Sequence, residues 1–106
     1  MINLSKVYFE EKAEYDYSTS YYFTYDSTDL ESVSDEFAPK RHYESEYGKV
    51  FCITLNLECD IEDDAAPRLC ASPTCEIEDS LSDVDWVDVD VDEDTVKALL
   101  KIAGEI

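Results

Sequence analysis

The sequence predicts an α+β domain, a mostly antiparallel sheet of about four to five strands with one C-terminal helix packed on it. Three observations carry this. Residues 50 to 61 alternate with period two, two aromatic and β-branched runs near the N-terminus flank a polar turn, and residues 92 to 104 carry one apolar helical face. With 106 residues the chain has the length of one ordinary domain, and 1–106 is read as a single acidic unit. It carries 44% hydrophobic and 12% aromatic residues, more than an acidic disordered tail holds, so a folded core is expected.

Leu4 to Glu10 and Ser20 to Tyr25 read as the first two strands, joined through Tyr15, Asp16, Tyr17, Ser18 and Thr19 as a hairpin. The hairpin is either tight around residues 16 to 19 with a long first strand, or looser with two shorter strands. Within it Tyr21, Phe23 and Tyr25 share one face and Tyr22 and Thr24 the other. Residues 26 to 48 mix Asp26, Ser27, Asp29, Ser32, Ser34, Pro39 and Gly48 with scattered apolar residues and read as a long loop, with room for one helical turn from Asp29. A connection of this length is either mobile or part of a working surface.

Phe51, Ile53, Leu55, Leu57, Cys59 and Ile61 occupy one parity, while Thr54, Asn56, Glu58 and Asp60 become steadily more polar on the other. That is a central, half-buried strand whose second face is wet at one end. Residues 62 to 74 hold two prolines and read as a connection. Cys75 to Glu78 and Val84 to Val91 read as strands, with a bulge expected near Trp86, where the apolar parity switches. In the terminal helix Asp92 caps, Glu93 and Asp94 sit where the dipole favours anions, and Val96, Leu99, Leu100 and Ala103 form the buried stripe. Lys97 and Lys101 lie toward its end, and Gly104 stops it.

Charge is the strongest functional signal. Twenty-seven acids against eight Lys and Arg give a net charge of −19. Binding nucleic acid directly requires cations to replace phosphate counterions, and anionic membranes repel the same surface, so both are excluded as partners. From Leu69 through Val96 there are ten acids, Glu76, Glu78, Asp79, Asp83, Asp85, Asp88, Asp90, Asp92, Glu93 and Asp94, and no Lys or Arg. Soluble domains ordinarily intersperse both signs. In a strand, Asp88, Asp90 and Asp92 would project on one face at roughly 7 Å intervals, in the range of successive phosphates along a nucleic-acid strand. Val87, Val89 and Val91 would anchor the other face. Such a row stands in for a sugar-phosphate backbone, although a solvated acidic sheet face would carry the same residues. A salt-adapted proteome fits less well, given six lysines, eight tyrosines and two glycines.

The tyrosines are the second feature. Tyr15, Tyr17, Tyr21, Tyr22 and Tyr25 lie among acids, and Tyr offers large contact area and a ring for Arg or Lys. One set is core. The surface expected to meet a partner therefore joins the ten acids above with Glu58, Asp60 and Glu62, with Tyr22 and Tyr25 as aromatic anchors.

Other chemistry is weakly supported. Asp88 to Asp92 begins like a calcium loop, but Glu93 stands where a turn glycine is needed and Leu99 where a bidentate Glu belongs. Cys52, Cys59, Cys70 and Cys75 are spaced C-x6-C-x10-C-x4-C, without the short knuckles of structural zinc, and read as reduced thiols. The lone His42 sits in a small basic island, and no nucleophile elbow or phosphate-binding glycine loop occurs, so no enzyme is expected. The N-terminal residues reach Lys6 and Glu10 without an apolar run of signal length, and a cytoplasmic location in a host cell is expected.

In size, charge and the acidic segment 76–94, the chain resembles the small phage-type or mobile-element inhibitors that mimic DNA, a class that includes anti-CRISPR, antirestriction and uracil-DNA glycosylase inhibitor proteins. Their folds are unrelated, so the likeness speaks to physical type and not topology. It implies an inhibitor that needs no cofactor and occupies the Lys/Arg-lined groove of a basic nucleic-acid-binding protein, such as a CRISPR effector or restriction nuclease. The alternative is an acidic immunity or antitoxin-type protein that neutralises a basic toxin or nuclease. An adaptor module working through its tyrosines and loop 26–48 is a third. A valine-rich edge could also pair two copies into a homodimer.

Overall fold

In the computed structural model, residues 2–25, 39, 44–45, 50–60, 67–75 and 86–106 are described. Five strands form one sheet in the order of the chain: β1 (Tyr8–Glu14), β2 (Ser18–Tyr25), β3 (Val50–Asp60), β4 (Arg68–Cys75) and β5 (Val87–Val89). Every neighbouring pair is antiparallel, and the terminal helix α1 spans Glu93–Ile102. The expected α+β class, strand number and C-terminal helix are all present.

The central strand is β3, as its alternation predicts. Ile53, Leu55 and Leu57 face Tyr25, Phe23 and Tyr21 of β2, and Leu55 and Leu57 face Ala71 and Leu69 of β4 on the other side. All of these are buried, and with Val96 and Leu99 of α1 they make the core. Val87, Val89 and Val91 are half-buried against the same cluster. Full burial of each large aliphatic side chain contributes about 1.5–3 kcal/mol, so this single face supplies most of the apolar driving force.

The helix follows its sequence signals. Asp92 accepts the backbone N–H of Thr95 at 2.8 Å, Glu93 and Asp94 fill the first turn, and Gly104 takes φ 83° just beyond the end. A positive φ there is open to glycine without steric cost, which is why the helix stops at that point.

Three expectations are corrected, and one alternative is decided. The first strand begins at Tyr8, not Leu4, because Asn3 accepts the Ser5 N–H at 3.2 Å and folds Leu4–Lys6 into a 3-10 turn. The strand then runs to Glu14, and the hairpin is the tight form, closed by the Tyr15 N–H donating to the Ser18 carbonyl at 2.8 Å. Within residues 62 to 74, read as a connection, Arg68 onward forms β4. Among the described residues β5 pairs only with Leu69 to Ala71, so the N–H that Pro73 lacks removes no described β4–β5 bond. Of the strand expected over Val84 to Val91, Val87–Val89 is strand and Trp86, Asp90 and Val91 are not, while residues 84 and 85, on one side of the expected bulge, lie outside the described residues. Val87–Val89 pairs without a register shift, and among the described pairs the irregularities fall between Phe9 and Glu11 in β1 and between Val50 and Cys52 in β3. Cys75 ends β4, and the rest of the strand read over 75–78 lies outside the described residues, as do most of loop 26–48 and its helical turn.

Candidate acidic interface

The second face of the sheet is built from the other parity of the same strands. Register places Ser20, Tyr22 and Thr24 beside Glu58, Asn56 and Thr54, and these beside Arg68, Cys70 and Ser72, with Asp88 next to Cys70. Ser20 is buried, the middle of the face is half-buried, and Asp60 at the end of β3 is exposed. The face thus becomes wet toward Asp60, as the drift in β3 composition predicts.

Glu58, Arg68 and Asp88 make a charged row across β3, β4 and β5. Glu58 is the register partner of Arg68, and an Arg68 guanidinium nitrogen donates to Asp88 Oδ1 at 3.3 Å. The Cys70 thiol donates to the same oxygen at 3.3 Å. These two donors, the thiol first, hold the Asp88 carboxyl below the usual range, while burial and the neighbouring carboxylate push the Cys70 thiol up. The ion pair is exposed and adds little to stability. It fixes where the carboxylate points.

From Trp86 to Asp92 the chain alternates without a break: Asp88, Asp90 and Asp92 are exposed, and the three valines between and before them are half-buried. The expected alternation of exposed carboxylates with half-buried valines is therefore present, although only Val87–Val89 is strand, and the three carboxylates have separate duties. Asp88 is held by Arg68 and Cys70. Asp92 caps α1, and the Thr95 donors lower its carboxyl pKa. Asp90 stands between them and lines two open hollows. One, of about 290 Å³, lies against Arg68, Leu69, Val89 and Val91; the other, of about 280 Å³, against Ile2, Asp92 and Thr95. Both are open to solvent and fall at the bottom of the size range of clefts that enclose a small molecule. Glu93 and Asp94 extend the exposed acids around the first turn of α1.

Of the acids expected at the interface, the structure thus brings Glu58, Asp60, Asp88 and Asp90 to the second face and the adjoining edge, with Asp92, Glu93 and Asp94 at the helix start. Glu62, Glu76, Glu78, Asp79, Asp83 and Asp85 lie outside the described residues. The two aromatic anchors part company. Tyr22 is on the second face, half-buried, and the neighbouring Tyr15 and then burial push its phenol up. Tyr25 does not reach the surface: it is 0% exposed in the core, beside Ile53 in the register, so it cannot meet a partner. Its parity with Phe23 dictates this. Among the described residues the exposed tyrosines are Tyr8 at 50%, at the start of β1, and Tyr15 at 56% and Tyr17 at 66% in the β1–β2 turn. The signal for the turn pair was position, since side chains in a tight surface turn have no core to enter.

Cys52 and Cys59 lie on opposite faces, as their odd separation requires. The Cys52 sulfur is 2.9 Å from the Thr24 hydroxyl, and the Cys59 thiol is pushed up by burial and then by Asp60 and Glu58. Among the described residues, no helix is long and apolar enough to cross a membrane. No protein-family model, curated protein or solved structure matches the chain.

Proposed function

We propose that this chain is a DNA-mimic inhibitor that acts in the cytoplasm of a host cell by occupying the Lys/Arg-rich groove of a nucleic-acid-binding protein, such as a CRISPR effector or restriction nuclease. The observation that carries the reading is the unbroken alternation from Trp86 to Asp92 in a chain of net charge −19. Three outward carboxylates are held against the core by the valines between them, and a sequence-distant carboxylate, Glu58, joins them across β4. A row fixed in this way meets a cationic groove without the ordering cost that a flexible acidic tail would bear. Long-range attraction between opposite charges makes association fast at low salt, and screening weakens it as salt rises. The protein binds and blocks; it catalyses nothing and requires no cofactor.

The test is competition between this protein and duplex DNA for a candidate nuclease. Asp88→Asn, Asp90→Asn and Asp92→Asn combined remove three charges while keeping side-chain shape and a helix-capping residue. Inhibition should fall by at least about tenfold, since each 1.4 kcal/mol of lost attraction is a factor of ten. Unchanged inhibition by the triple variant removes the reading.

One observation favours a second reading, an immunity or antitoxin-type protein that recognises a particular basic toxin. Arg68 stands inside the acidic row, between Glu58 and Asp88, where a phosphate backbone has no cation. Displacement of DNA from several unrelated basic enzymes supports mimicry; tight binding to one basic toxin alone supports the second reading.

A further inference from the structure

The opposite side of the sheet offers a different kind of surface. β1 is the outer strand, and among the described residues no strand pairs with its far side. All of its residues are exposed except Ala13, which is half-buried. From Phe9 to Glu14 this outer strand presents, on the side away from β2, a row of backbone N–H and C=O groups that no described strand takes up.

Three features of β1 discourage a second copy from using it. The irregularity between Phe9 and Glu11 breaks the flat pairing line, Glu10, Glu11 and Glu14 are acidic, and each copy brings a net charge of −19. The one cation is already engaged: Lys12 Nζ is 2.8 Å from Glu105, 3.3 Å from Glu14 and 5.7 Å from the centre of the Tyr21 ring. Among the described residues no cation is paired with Glu10 or Glu11. Beside these acids the same hairpin exposes Phe9 at 37%, together with Tyr15 and Tyr17 in its turn. Acids repel a like strand and attract a basic one, and aromatic rings add apolar area and faces for guanidinium or ammonium groups.

We infer that the β1 edge accepts an extended, Lys/Arg-bearing segment of a partner protein as a sixth strand, with Glu10 and Glu11 pairing its cations and the hairpin tyrosines receiving its basic side chains. Main-chain bonding along an open edge is an established mode of peptide capture, with charge at alternate positions selecting the sequence. This surface is separate from the carboxylate strip, since β1 and β5 are opposite edges of the sheet.

The test uses the full chain and a synthetic eight-residue peptide alternating Lys with Val and Thr, followed by fluorescence anisotropy and amide hydrogen exchange. The peptide should bind and slow exchange of amides between Phe9 and Glu14. Glu10→Lys with Glu11→Lys should weaken it by about tenfold or more, as expected when like charges oppose across an interface. A peptide of the same charge with proline at alternate positions should lose the protection, because it cannot donate to the edge. Equal protection by the proline peptide, protection confined to β5 and α1, or a dimer whose β1 amides are already slow without peptide would each overturn the inference. The Asp88/Asp90/Asp92 triple variant should keep peptide binding, so failure here and failure of DNA competition are distinguishable.

Discussion

The two faces of one sheet use the same strands for opposite ends. On the helix-covered face, Phe23, Ile53, Leu55 and Leu57 are wholly buried, and each touches a counterpart on the next strand. One residue away, Thr24, Thr54, Asn56 and Glu58 are half-buried, and their row ends in the exposed Asp60. Stability is concentrated on the first face, which leaves the second free to accumulate carboxylates at small cost. A chain of net charge −19 can stay folded on those terms, because repulsion acts on the solvated face while packing acts on the dry one.

The most direct way to break this contrast is to truncate adjacent residues on the two faces. Leu55→Ala should cost about 2–5 kcal/mol in urea denaturation, through lost burial and the cavity it leaves. Thr54→Ala should cost a small fraction of that, and a comparable loss at both positions would contradict the division.

Alkaline titration sharpens it next. Burial pushes the Tyr25 phenol well up, with a smaller opposing effect from the Asn3 backbone, and burial also raises Tyr21. An unfolded tyrosine ionises near pH 10, whereas the buried one resists, so this contribution to stability is intact below about pH 10 and declines as pH rises further. Tyr25→Phe should flatten the fall of Tm between about pH 10 and 11 relative to the parent, read by circular dichroism. An unchanged alkaline limb would place that sensitivity elsewhere.

The smallest effect belongs to the acidic edge. Asp92→Ala removes the cap and should lower Tm by a few degrees at neutral pH, while Asp92→Asn should retain most of it. Because the folded-state pKa values of Asp88 and Asp92 are depressed, their contributions are present above the unfolded carboxylate range and are lost as pH falls through the folded values. The parent should therefore lose more stability below about pH 4 than Asp92→Ala does.

Legibility from the sequence followed the same division. β2, β3 and α1 each place apolar residues on one side at a fixed period, and their limits were readable to within one or two residues. β4 was hidden because Arg-Leu-Cys-Ala-Ser-Pro-Thr-Cys offers two small apolar anchors and a proline; its strand form depends on β3 alongside it. The reach of β1 is hidden because Glu11, Lys12 and Glu14 are charged, and an edge strand is where such residues are accommodated. The alternation of Asp with Val was visible, but the duties of Asp88 and Asp92 depend on Arg68 across the sheet and on Thr95 in the helix. The frequent use of tyrosine at interfaces points Tyr25 outward, whereas the parity it shares with Phe23 places it in the core. The exposed pair Tyr15 and Tyr17 was present in the cluster but not singled out.

The clasp between Lys12 and Glu105 joins positions 93 residues apart. Closing so long a span costs conformational entropy that no local contact repays, so the clasp can form only once the intervening sheet and helix have assembled. During synthesis on the ribosome, the ammonium group of β1 must wait until Glu105 has emerged. Formation of that ion pair therefore reports that β1 and the segment following α1 have come together.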